Sequence, residues 1–486
     1  MLGRAFHSVA VPAGAGARRW VTGASGAGGP RVCVVGSGPS GFYATKYLLK
    51  LHEGATVDLI DRLPTPFGLV RSGVAPDHPE VKNVSVDFES VAAEFAEQGR
   101  FRFLGNVEVG KDVELAELRA SYDAVLLAYG ASSDRTLGVE GEDLPGVGSA
   151  RSFVNWYNGH PDHADDGWGD ILARAEDVVV IGQGNVAIDC ARVLAKTPDE
   201  LASTDITASA LEALASSAVR RIHVVGRRGH VQAAFTMKEL REMTRLEDAA
   251  LVVHPDELDA GATEASVAEL GKSRAAKKID ALLRDTDKCS HAPATGGKSR
   301  EVHLRFLLNP AGFLAGEHGG VAGSELERTA LTGEAGSQRA EGTGERVVVP
   351  SDLVLRSIGY RSVPVQGLAF DEGRSVASNQ GGRVVGPDGA ADPGLYVTGW
   401  LKRGPSGIIG TNIVCAKGSV KALLEDWEAG QRGGAAAAGV GPVAGAVDWS
   451  GWGRIDAAER AAGEAAGKPR EKLTSVPDML RVAAAP

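Results

Sequence analysis

The stretch Arg31-Val32-Cys33-Val34-Val35-Gly36-Ser37-Gly38-Pro39-Ser40-Gly41 decides the fold of this chain. Its first half is a short, mostly β-branched run that predicts a buried parallel strand, and its second half is a GxGxxG turn that begins a helix. The glycines allow a tight turn and let the backbone approach a pyrophosphate at the helix N-terminus. A second strand, Thr56–Ile60, ends at Asp61, twenty residues after Gly41. A carboxylate there accepts hydrogen bonds from a ribose 2′-OH and repels a 2′-phosphate, so this unit predicts a site for FAD or NAD.

The same order of strand, glycine turn and helix recurs from residue 177. Asp177–Ile181 predicts a strand, and it runs into the GxGxxA turn Gly182-Gln183-Gly184-Asn185-Val186-Ala187. The next strand, Arg221–Val225, ends in Gly226-Arg227-Arg228-Gly229 and carries no acid. Because paired guanidinium groups bind phosphate through bidentate hydrogen bonds, this site predicts NADP; a solvated basic strand end is the alternative. The spacing from the turn to Arg227 exceeds the usual value of about 20 residues, and we interpret Thr197–Ala218 as a surface insertion.

Two sites of opposite charge preference in one chain predict two different nucleotides, and hence a flavoprotein that takes hydride from NADPH. Three further segments, Ala124–Gly130, Asp352–Gly359 and Gly394–Gly399, also run from a strand into glycine, as the strands of such sheets do. We therefore predict an α/β fold with two doubly wound, Rossmann-like nucleotide-binding domains. The FAD domain is discontinuous, residues 31–141 and 360–486, and the NADP domain, residues 142–359, is inserted between its parts.

Composition excludes several classes of protein. The 486 residues include 52 Lys and Arg against 62 Asp and Glu, and the net charge of −10 argues against nucleic-acid binding. No uncharged apolar run approaches the roughly 20 residues that span a bilayer, so we expect no transmembrane segment. Peripheral contact with a membrane, such as the inner membrane of an organelle, stays open. The four cysteines, Cys33, Cys190, Cys289 and Cys415, form no CxxC. Their spacing argues against a zinc site, an iron–sulfur cluster and a disulfide reductase of the thioredoxin-reductase type.

The N-terminus is typical of an import signal. No Asp or Glu precedes Glu53, and the charges of residues 1–30 are Arg4, Arg18 and Arg19 among Ala, Gly, Ser and Thr. This composition predicts a transit peptide over residues 1–30, and a disordered Gly/Ala tail is the alternative. Because arginine is used more than serine, we predict the mitochondrial matrix as the location, with a plastid as the alternative.

Longer motifs resemble those of one known family. They are Pro66-Phe67-Gly68-Leu69-Val70-Arg71, Gly73-Val74-Ala75-Pro76-Asp77-His78-Pro79, Val225-Gly226-Arg227-Arg228-Gly229, Phe235-Thr236-Met237-Lys238-Glu239-Leu240-Arg241-Glu242 and Gly399-Trp400-Leu401-Lys402-Arg403-Gly404-Pro405-Ser406-Gly407-Ile408-Ile409-Gly410-Thr411-Asn412. Together they are similar to the adrenodoxin reductase family of mitochondrial NADPH:ferredoxin oxidoreductases. The resemblance implies non-covalent FAD, NADPH as the donor and a [2Fe–2S] ferredoxin that accepts electrons one at a time. It also implies that the electrons feed cytochrome P450 or iron–sulfur cluster assembly.

The resemblance assigns residues to the two cofactors. Beside the turn residues Gly36, Gly38, Pro39 and Gly41, the FAD positions are Ser40, Asp61, Leu69 and Val107. Asp61 stands where the family more usually has Glu, and Ser40 where it has Ala. Trp400, Gly407, Ile408 and Ile409 are expected to flank the flavin near the nicotinamide. The NADPH positions are Gly182, Gln183, Gly184, Asn185, Val186, Arg227, Arg228 and Glu239, with Gly407 shared.

Hydride transfer from NADPH to a flavin needs no protein nucleophile, because the cofactors carry the chemistry. We therefore expect no Ser-His-Asp or Cys-His constellation at the site. The family resemblance implies that His78 and Asp189 lie near the flavin, where they tune it or assist proton and electron movement. The alternatives are a local pair on the helix for Asp189 and a hydrogen-bonded turn for His78. For Trp400, the alternative to a position beside the flavin is a core aromatic.

The expected partner is acidic, so this chain, with its net charge of −10, must bind it through a local basic patch. The candidate patch is Lys272, Arg274, Lys277 and Lys278, and a solvated helix face is the alternative. Two rival functions stay open: a flavin monooxygenase that acts on a small molecule, and a non-catalytic nucleotide-binding scaffold. We interpret residues 312–344, rich in Gly, and 433–446, rich in Ala and Gly, as loops with no assigned role.

Overall fold

The computed structural model describes residues 28–292, 297–434 and 438–485. Residues 1–27, nearly all of the predicted transit peptide, lie outside the described residues. The N-terminal part contains β1 (Arg31–Val35), α1 (Pro39–Leu51), β2 (Thr56–Ile60), α2 (Leu69–Ser72), α3 (Pro79–Lys82), α4 (Val84–Glu97), β3 (Phe101–Leu104), α5 (Leu115–Ser121), β4 (Ala124–Leu127) and β5 (Ser133–Asp134).

The middle part begins at residue 147 and includes two one-turn 3-10 helices, Pro161–His163 and His230–Gln232. Its strands and α-helices are β6 (Val147–Ser149), α6 (Ala150–Tyr157), α7 (Trp168–Leu172), β7 (Asp177–Ile181), α8 (Asn185–Ala195), α9 (Pro198–Ala202), α10 (Ala208–Ala215), β8 (Arg221–Val225), α11 (Met237–Met243), β9 (Ala249–Val253), α12 (Pro255–Gly261), α13 (Glu264–Lys272), α14 (Arg274–Leu283), β10 (Arg300–Arg305), β11 (Leu308–Ala315), β12 (Val321–Thr332), β13 (Arg339–Pro350) and β14 (Leu353–Arg356). The C-terminal part contains β15 (Tyr360–Arg361), β16 (Phe370–Asp371), β17 (Val376–Ala377), β18 (Asn379–Gln380), β19 (Arg383–Val385), β20 (Ala391–Val397), α15 (Trp400–Arg403), α16 (Thr411–Glu428), α17 (Trp449–Ala465) and α18 (Val476–Ala483).

The first sheet contains strands from both ends of the chain. Its order is β18-β19-β20-β4-β1-β2-β3, in which β20 to β3 are parallel and β18 and β19 form an antiparallel edge. Four of the five residues of β1 are buried, because helices cover both faces of a parallel sheet. The sheet therefore forms only when the N-terminal and C-terminal parts of the chain come together.

The second sheet contains only strands of the middle part. Its order is β6-β14-β7-β8-β10-β9, and all of its strands are parallel. Both glycine turns follow central strands, β1 and β7, at the points where strand order reverses and where such sheets bind ligands. The prediction of an α/β fold with two Rossmann-like sheets is confirmed. The segment limits at residues 141/142 and 359/360 stay predictions.

The prediction of a loop over residues 312–344 is wrong. This stretch lies within a three-stranded antiparallel sheet of order β11-β12-β13. Phe313, Leu326 and Val349 of this sheet are buried, and glycines within the strands hid the pattern of buried and exposed residues. The described residues of 433–446, by contrast, form no helix or strand, as predicted.

The prediction of a surface insertion at Thr197–Ala218 is also wrong. The segment forms α9 and α10, and the side chains of Leu201, Ile206 and Ala210 are fully buried. Thr197 caps α9 in a reciprocal capping box with Glu200, which is a sequence signal of a helix N-terminus. The extra length between the second turn and β8 is therefore part of the core.

Buried charges join the two halves of the molecule. One half is the N-terminal and C-terminal parts, which share the first sheet, and the other half is the middle part, which contains the second sheet. Arg192 of α8 donates to both oxygens of Asp77, at 2.7 and 2.9 Å, and its side chain is 1% exposed. A second contact is made by Lys82 and Lys472, which lie 2.6 and 2.9 Å from the carboxylate of Asp205. Burial lowers the pKa of Lys472 to about 7, an effect that Asp205 opposes. Ionic contacts of this kind hold the two sheets in a defined relation.

Candidate functional site

The first turn, residues 36–41, has the geometry of a phosphate cradle. Gly36 has a φ of 102°, and a Cβ added to it would lie 2.6 Å from the Cα of Tyr129. A Cβ on Gly41 would lie 1.8 Å from the carbonyl oxygen of Gly36. A Cβ on Gly38 would meet no atom within 4 Å. Gly36 and Gly41 are therefore required by packing, whereas Gly38 keeps the backbone open to a ligand.

Asp61 and the segment around Phe67 hold the first turn in place. The carboxylate of Asp61 accepts hydrogen bonds from the backbone N–H and the hydroxyl of Ser37, at 2.8 and 2.6 Å. The N–H of Phe67 donates to the carbonyl of Ser37 at 3.0 Å. Phe67 and Gly68 both have positive φ angles, 84° and 48°, and a Cβ on Gly68 would lie 3.0 Å from the Cα of Gly38. The family motif at residues 66–71 thus lies directly against the turn.

The remaining residues predicted for FAD lie around the same turn. Leu69 begins α2 and is half-buried, and Val107 is buried with its N–H bonded to the carbonyl of Asp61 at 2.9 Å. The hydroxyl of Ser40 donates to Oδ1 of Asn412 at 3.0 Å. This buried bond joins the N-terminus of α1 to that of α16, so the serine at this position holds the two helices together.

The second turn, residues 182–187, repeats the geometry of the first. Gly182 has a φ of 126°, and a Cβ there would lie 2.2 Å from the carbonyl oxygen of Ser357. A Cβ on Gly184 would meet no atom within 4 Å, and Ala187 is fully buried beneath the turn. Val186 is half-buried and packs against the core of the second sheet. The open position is again the middle glycine, so this turn also leaves room for a pyrophosphate.

Polar side chains fix the mouth of the second turn. The Nε2 of Gln183 donates to the carbonyl of Arg305 at 2.7 Å. Oδ1 of Asn185 accepts from the N–H of Thr236 at 3.0 Å, and the Thr236 hydroxyl donates to Glu239, which is buried. These bonds connect the turn to α11, and they leave the side chain of Glu239 engaged with its own helix rather than free.

Arg227 and Arg228 are exposed at the end of β8. Among the described residues neither forms an ion pair, in contrast to Arg221 of the same strand, which binds Asp177. Their backbone is anchored instead: the carbonyl of Arg227 accepts from the Thr329 hydroxyl at 2.7 Å, and that of Arg228 from the N–H of Leu307 at 3.2 Å. The antiparallel sheet of β11 to β13, which the sequence did not predict, therefore supports the loop whose two guanidinium groups are unpaired among the described residues.

Trp400 lies in the C-terminal part of the chain, just after β20. It begins α15, and its ring stacks on that of Tyr360 with centroids 5.3 Å apart and an interplanar angle of 24°. Burial raises the pKa of Tyr360, so its hydroxyl stays protonated at neutral pH. Sequence reasoning did not select Tyr360; its position directly after Gly359 was the available signal. Gly407 has a φ of 83°, Ile408 is 69% exposed and Ile409 is half-buried.

His78 and Asp189 belong to one ionic cluster at the contact between the halves. Nε2 of His78 lies 2.8 Å from Oε2 of Glu242, and Arg192 lies 3.4 Å from the same oxygen. Oδ1 of Asp189 lies 2.8 Å from Nη2 of Arg192 but is not aligned for a hydrogen bond. Burial raises the pKa of Asp189, and Arg192 opposes this shift. Arg192, which sequence reasoning missed, connects the two predicted residues.

The four residues of the predicted patch, Lys272, Arg274, Lys277 and Lys278, are all exposed. Arg274 and Lys278 lie on one face of α14 and, with Arg241 of α11, line an open groove of about 490 Å³. None of the four forms an ion pair with a described residue; the paired charges of α14 are Asp280 and, just beyond its end, Arg284. Unpaired positive side chains therefore line this groove, and the role of the patch stays a prediction.

Within the described ranges, no group of His, Cys, Asp and Glu side chains could hold a metal ion. Cys33, Cys190 and Cys289 are buried there, and burial raises the pKa of each thiol. No helix in those ranges is long and apolar enough to cross a membrane.

Two glycine turns with the geometry of phosphate cradles, at the switch points of two parallel sheets, are typical of a dinucleotide-dependent oxidoreductase. Residues 30–248 match the family described as pyridine nucleotide-disulphide oxidoreductase. The chain is 46% identical over 467 residues to "NADPH:adrenodoxin oxidoreductase, mitochondrial" of Arabidopsis thaliana. The alignment covers 93% of this chain and 95% of that protein. The chain is 44% identical over 471 residues to the Homo sapiens protein of the same name, covering 93% and 92%.

A solved structure, "Mycobacterium tuberculosis FprA in complex with NADPH", is similar with a TM-score of 0.83 and 41% identity, covering 94% of this chain and 100% of that one. The chain belongs to the adrenodoxin reductase family. The predicted enzyme class, an oxidoreductase of the NADPH:ferredoxin (adrenodoxin) type, is confirmed. Its cofactors are FAD and NADP(H), and the open backbone at Gly38 and Gly184 can accept their pyrophosphates.

The two turn glycines Gly38 and Gly41 make a matched pair of substitutions. We expect Gly38→Ala to fold, since its Cβ meets no protein atom, but to lose most of its FAD because the methyl group occupies the space of the pyrophosphate. Gly41→Ala is expected to destabilise the fold itself, because its Cβ overlaps the carbonyl of Gly36. Flavin absorbance per protein and thermal unfolding distinguish the two. A Gly38→Ala protein with full flavin content would contradict the assignment of this turn.

Proposed function

We propose that this protein oxidises NADPH through bound FAD and passes the electrons, one at a time, to a [2Fe–2S] ferredoxin. The observation that carries the proposal is the opposite charge of the two cradles. The first turn is held by the carboxylate of Asp61, a negative charge that suits FAD. Beside the second turn, Arg227 and Arg228 form no ion pair with a described residue, and their positive charge suits a 2′-phosphate. Relatives named for NADPH and for adrenodoxin or ferredoxin support the donor and the acceptor.

In this function the side chains bind and orient rather than react. Bound FAD supplies the redox chemistry, accepting a hydride and releasing electrons. Asp61 is proposed to accept a ribose hydroxyl, and the two arginines to bind the 2′-phosphate. The stacked rings of Trp400 and Tyr360 are proposed to shape the nicotinamide site. Such positioning is effective because reacting atoms held in contact need no further search.

We propose that Asp189 and His78 hold or move a proton at the contact between the halves. Both lie in the cluster around Arg192, and burial raises the pKa of Asp189. We expect Asp189→Asn to slow acceptor reduction about tenfold or more while FAD content stays normal. Stopped-flow reduction of the acceptor and flavin absorbance measure the two effects. Unchanged reduction with a lower melting temperature would leave Asp189 as a local helix pair.

The basic patch is proposed to bind the acidic ferredoxin. We expect the double substitution Arg274→Glu and Lys278→Glu to raise the KM for ferredoxin about tenfold or more, because it places repulsive charge in the groove. Reduction of ferricyanide, a small acceptor, should not change. The double substitution Lys50→Glu and Lys111→Glu is the matched control, since it makes the same change in net charge at two exposed lysines of the N-terminal part. An equal effect from this control would show only a dependence on net charge.

The location is proposed from the N-terminal residues. The similar proteins include mitochondrial ones and a bacterial one, "NADPH-ferredoxin reductase FprA" of Mycobacterium tuberculosis, so the match itself supports the chemistry more than the compartment. We propose the mitochondrial matrix, with residues 1–30 as the import signal, and cytochrome P450 or iron–sulfur cluster assembly as the consumer of electrons. Fusing residues 1–30 to a reporter tests the import signal directly.

An anaerobic titration tests the proposed function as a whole. The purified flavoprotein is titrated with NADPH, then with NADH, and finally with oxidised [2Fe–2S] ferredoxin while flavin absorbance is followed. Bleaching by NADPH at far lower concentration than by NADH, followed by rapid reoxidation by ferredoxin, is the expected result. Reoxidation by oxygen alone would favour a monooxygenase, and a flavin that NADPH does not bleach would favour a binding scaffold.

A further inference from the structure

His230 lies directly behind the loop of Arg227 and Arg228. Its side chain is fully buried in the one-turn helix His230–Gln232, and its ring lies edge-on to Phe306 with centroids 5.9 Å apart. Nε2 lies 2.8 Å from Oδ1 of Asp280. The other ring nitrogen, Nδ1, is buried without a hydrogen-bond partner. A buried, half-satisfied imidazole costs stability, and packing alone would be served better by an apolar side chain.

The partner of this histidine, Asp280, belongs to α14. Asp280 is the only acid on a helix that also carries Arg274, Lys277 and Lys278. Its Oδ1 accepts from Nε of Arg284 at 3.0 Å as well as from His230. Burial lowers the pKa of His230, and Asp280 only partly opposes this. The ring is therefore neutral at pH 7, with Nε2–H as the donor to the carboxylate.

The hydrogen bond completes the support of the arginine loop. Thr329 and Leu307 hold the carbonyls of Arg227 and Arg228 from the antiparallel sheet. His230 holds the next turn of the chain from α14, on the other side of Gly229. We propose that His230 is a positioning residue that sets the preference for NADPH over NADH by fixing the two guanidinium groups toward the 2′-phosphate. This inference rests on the proposed NADP site, and it adds a residue outside that site.

The consequence is specific to the 2′-phosphate. Two exposed arginine side chains lose conformational entropy when they bind one phosphate, and a fixed backbone beneath them lowers that cost. Loosening the loop should therefore weaken binding of a 2′-phosphorylated nucleotide. It should leave binding of the adenosine and pyrophosphate moieties at the second turn unchanged, since those contacts arise from Gly182–Ala187.

Calorimetric binding to the FAD-loaded enzyme tests the proposal without turnover. The probes are 2′,5′-ADP, which carries the 2′-phosphate, and 5′-AMP, which lacks it. We expect His230→Phe, which keeps the contact with Phe306, to raise the Kd of 2′,5′-ADP about fivefold, the equivalent of one lost hydrogen bond, and to leave that of 5′-AMP unchanged. His230→Gln keeps an N–H donor toward Asp280 and should retain most of the affinity.

His303→Phe is the matched control. His303 is also buried and bound to a carboxylate, Glu301 at 3.0 Å, but it lies within β10, so it should not change the ratio of the two affinities. An equal loss of both ligands in His230→Phe, or no loss of 2′,5′-ADP, would overturn the proposal. Arg227→Ala separates the two levels of inference: if it also leaves 2′,5′-ADP binding intact, the proposed NADP site fails as well, and if it does not, only the role of His230 fails.

Discussion

Replacing Arg227 and Arg228 together by alanine should lower kcat/KM for NADPH by about 10²- to 10⁴-fold and leave that for NADH unchanged. Each charge-assisted hydrogen bond to a phosphate contributes about 1.5–3 kcal/mol, and about 1.4 kcal/mol corresponds to a factor of ten. Neither guanidinium group pairs with an acid among the described residues, so the substitution removes attraction for the 2′-phosphate without leaving an unpaired carboxylate behind.

The measurement compares steady-state ferricyanide reduction with the two nucleotides over a range of concentrations. Arg220→Ala is the matched control, because Arg220 is also exposed and basic but immediately precedes β8, at its other end. The control should keep the NADPH preference. If the double variant lost NADPH and NADH activity equally, the arginines would support the fold of the loop rather than recognise a phosphate.

Replacing Arg192 by leucine should destabilise the protein by about 3–5 kcal/mol, the usual cost of removing one partner from a buried ion pair. Arg192 is the cation between Asp77, Asp189 and Glu242, and its side chain is 1% exposed. Burial by itself would raise the pKa of Asp77, but Arg192 and Lys196 lower it well below its usual range. Without Arg192, Asp77 would keep its pair with Lys196, and Asp189 would lose its ion pair within α8.

Urea denaturation of the FAD-loaded protein gives the size of this effect, with flavin and tryptophan fluorescence as separate probes. Arg481→Leu is the control: Arg481 also pairs with an aspartate, Asp478, but it is 74% exposed, so its pair should contribute little. A loss of less than about 1 kcal/mol for Arg192→Leu would mean that water reaches the contact between the halves and solvates these carboxylates.

The parts of this molecule that the sequence predicted are those determined by neighbours along the chain. Both glycine turns follow a strand and precede a helix within about twenty residues, and Asp61 lies at the end of the strand that follows the first turn. Glycine is required at residues 36 and 182 because both have a positive φ and a close backbone neighbour. Both requirements can be recognised in the sequence as the glycine turn motif.

The parts that were missed depend on distant partners. The stacking of Tyr360 on Trp400 joins two separate segments of the chain, and Arg192 meets Asp77 only when the two halves come together. The strands over residues 308–350 were hidden because glycines within them weaken the alternation on which strand prediction depends. Thr197 and Glu200 form a capping box that marks the start of a helix in the sequence. The unusually long spacing between the second turn and Arg227 nevertheless favoured the interpretation of this segment as an insertion.

The first sheet sets an order for folding during synthesis. On the ribosome, β1 to β4 emerge early, but their neighbour β20 lies at Ala391–Val397, beyond the entire second sheet. Until β20 has been synthesised, one edge of β4 has no partner strand. All four residues of β4 are apolar and are buried in the folded protein, and an exposed apolar strand edge promotes aggregation. All strands of the second sheet lie within residues 147–356, so they can pair before β20 is made. Chains that stop before residue 397 therefore carry a complete second sheet and an incomplete first sheet, and we expect the C-terminal fifth of the sequence to determine how much protein aggregates during synthesis.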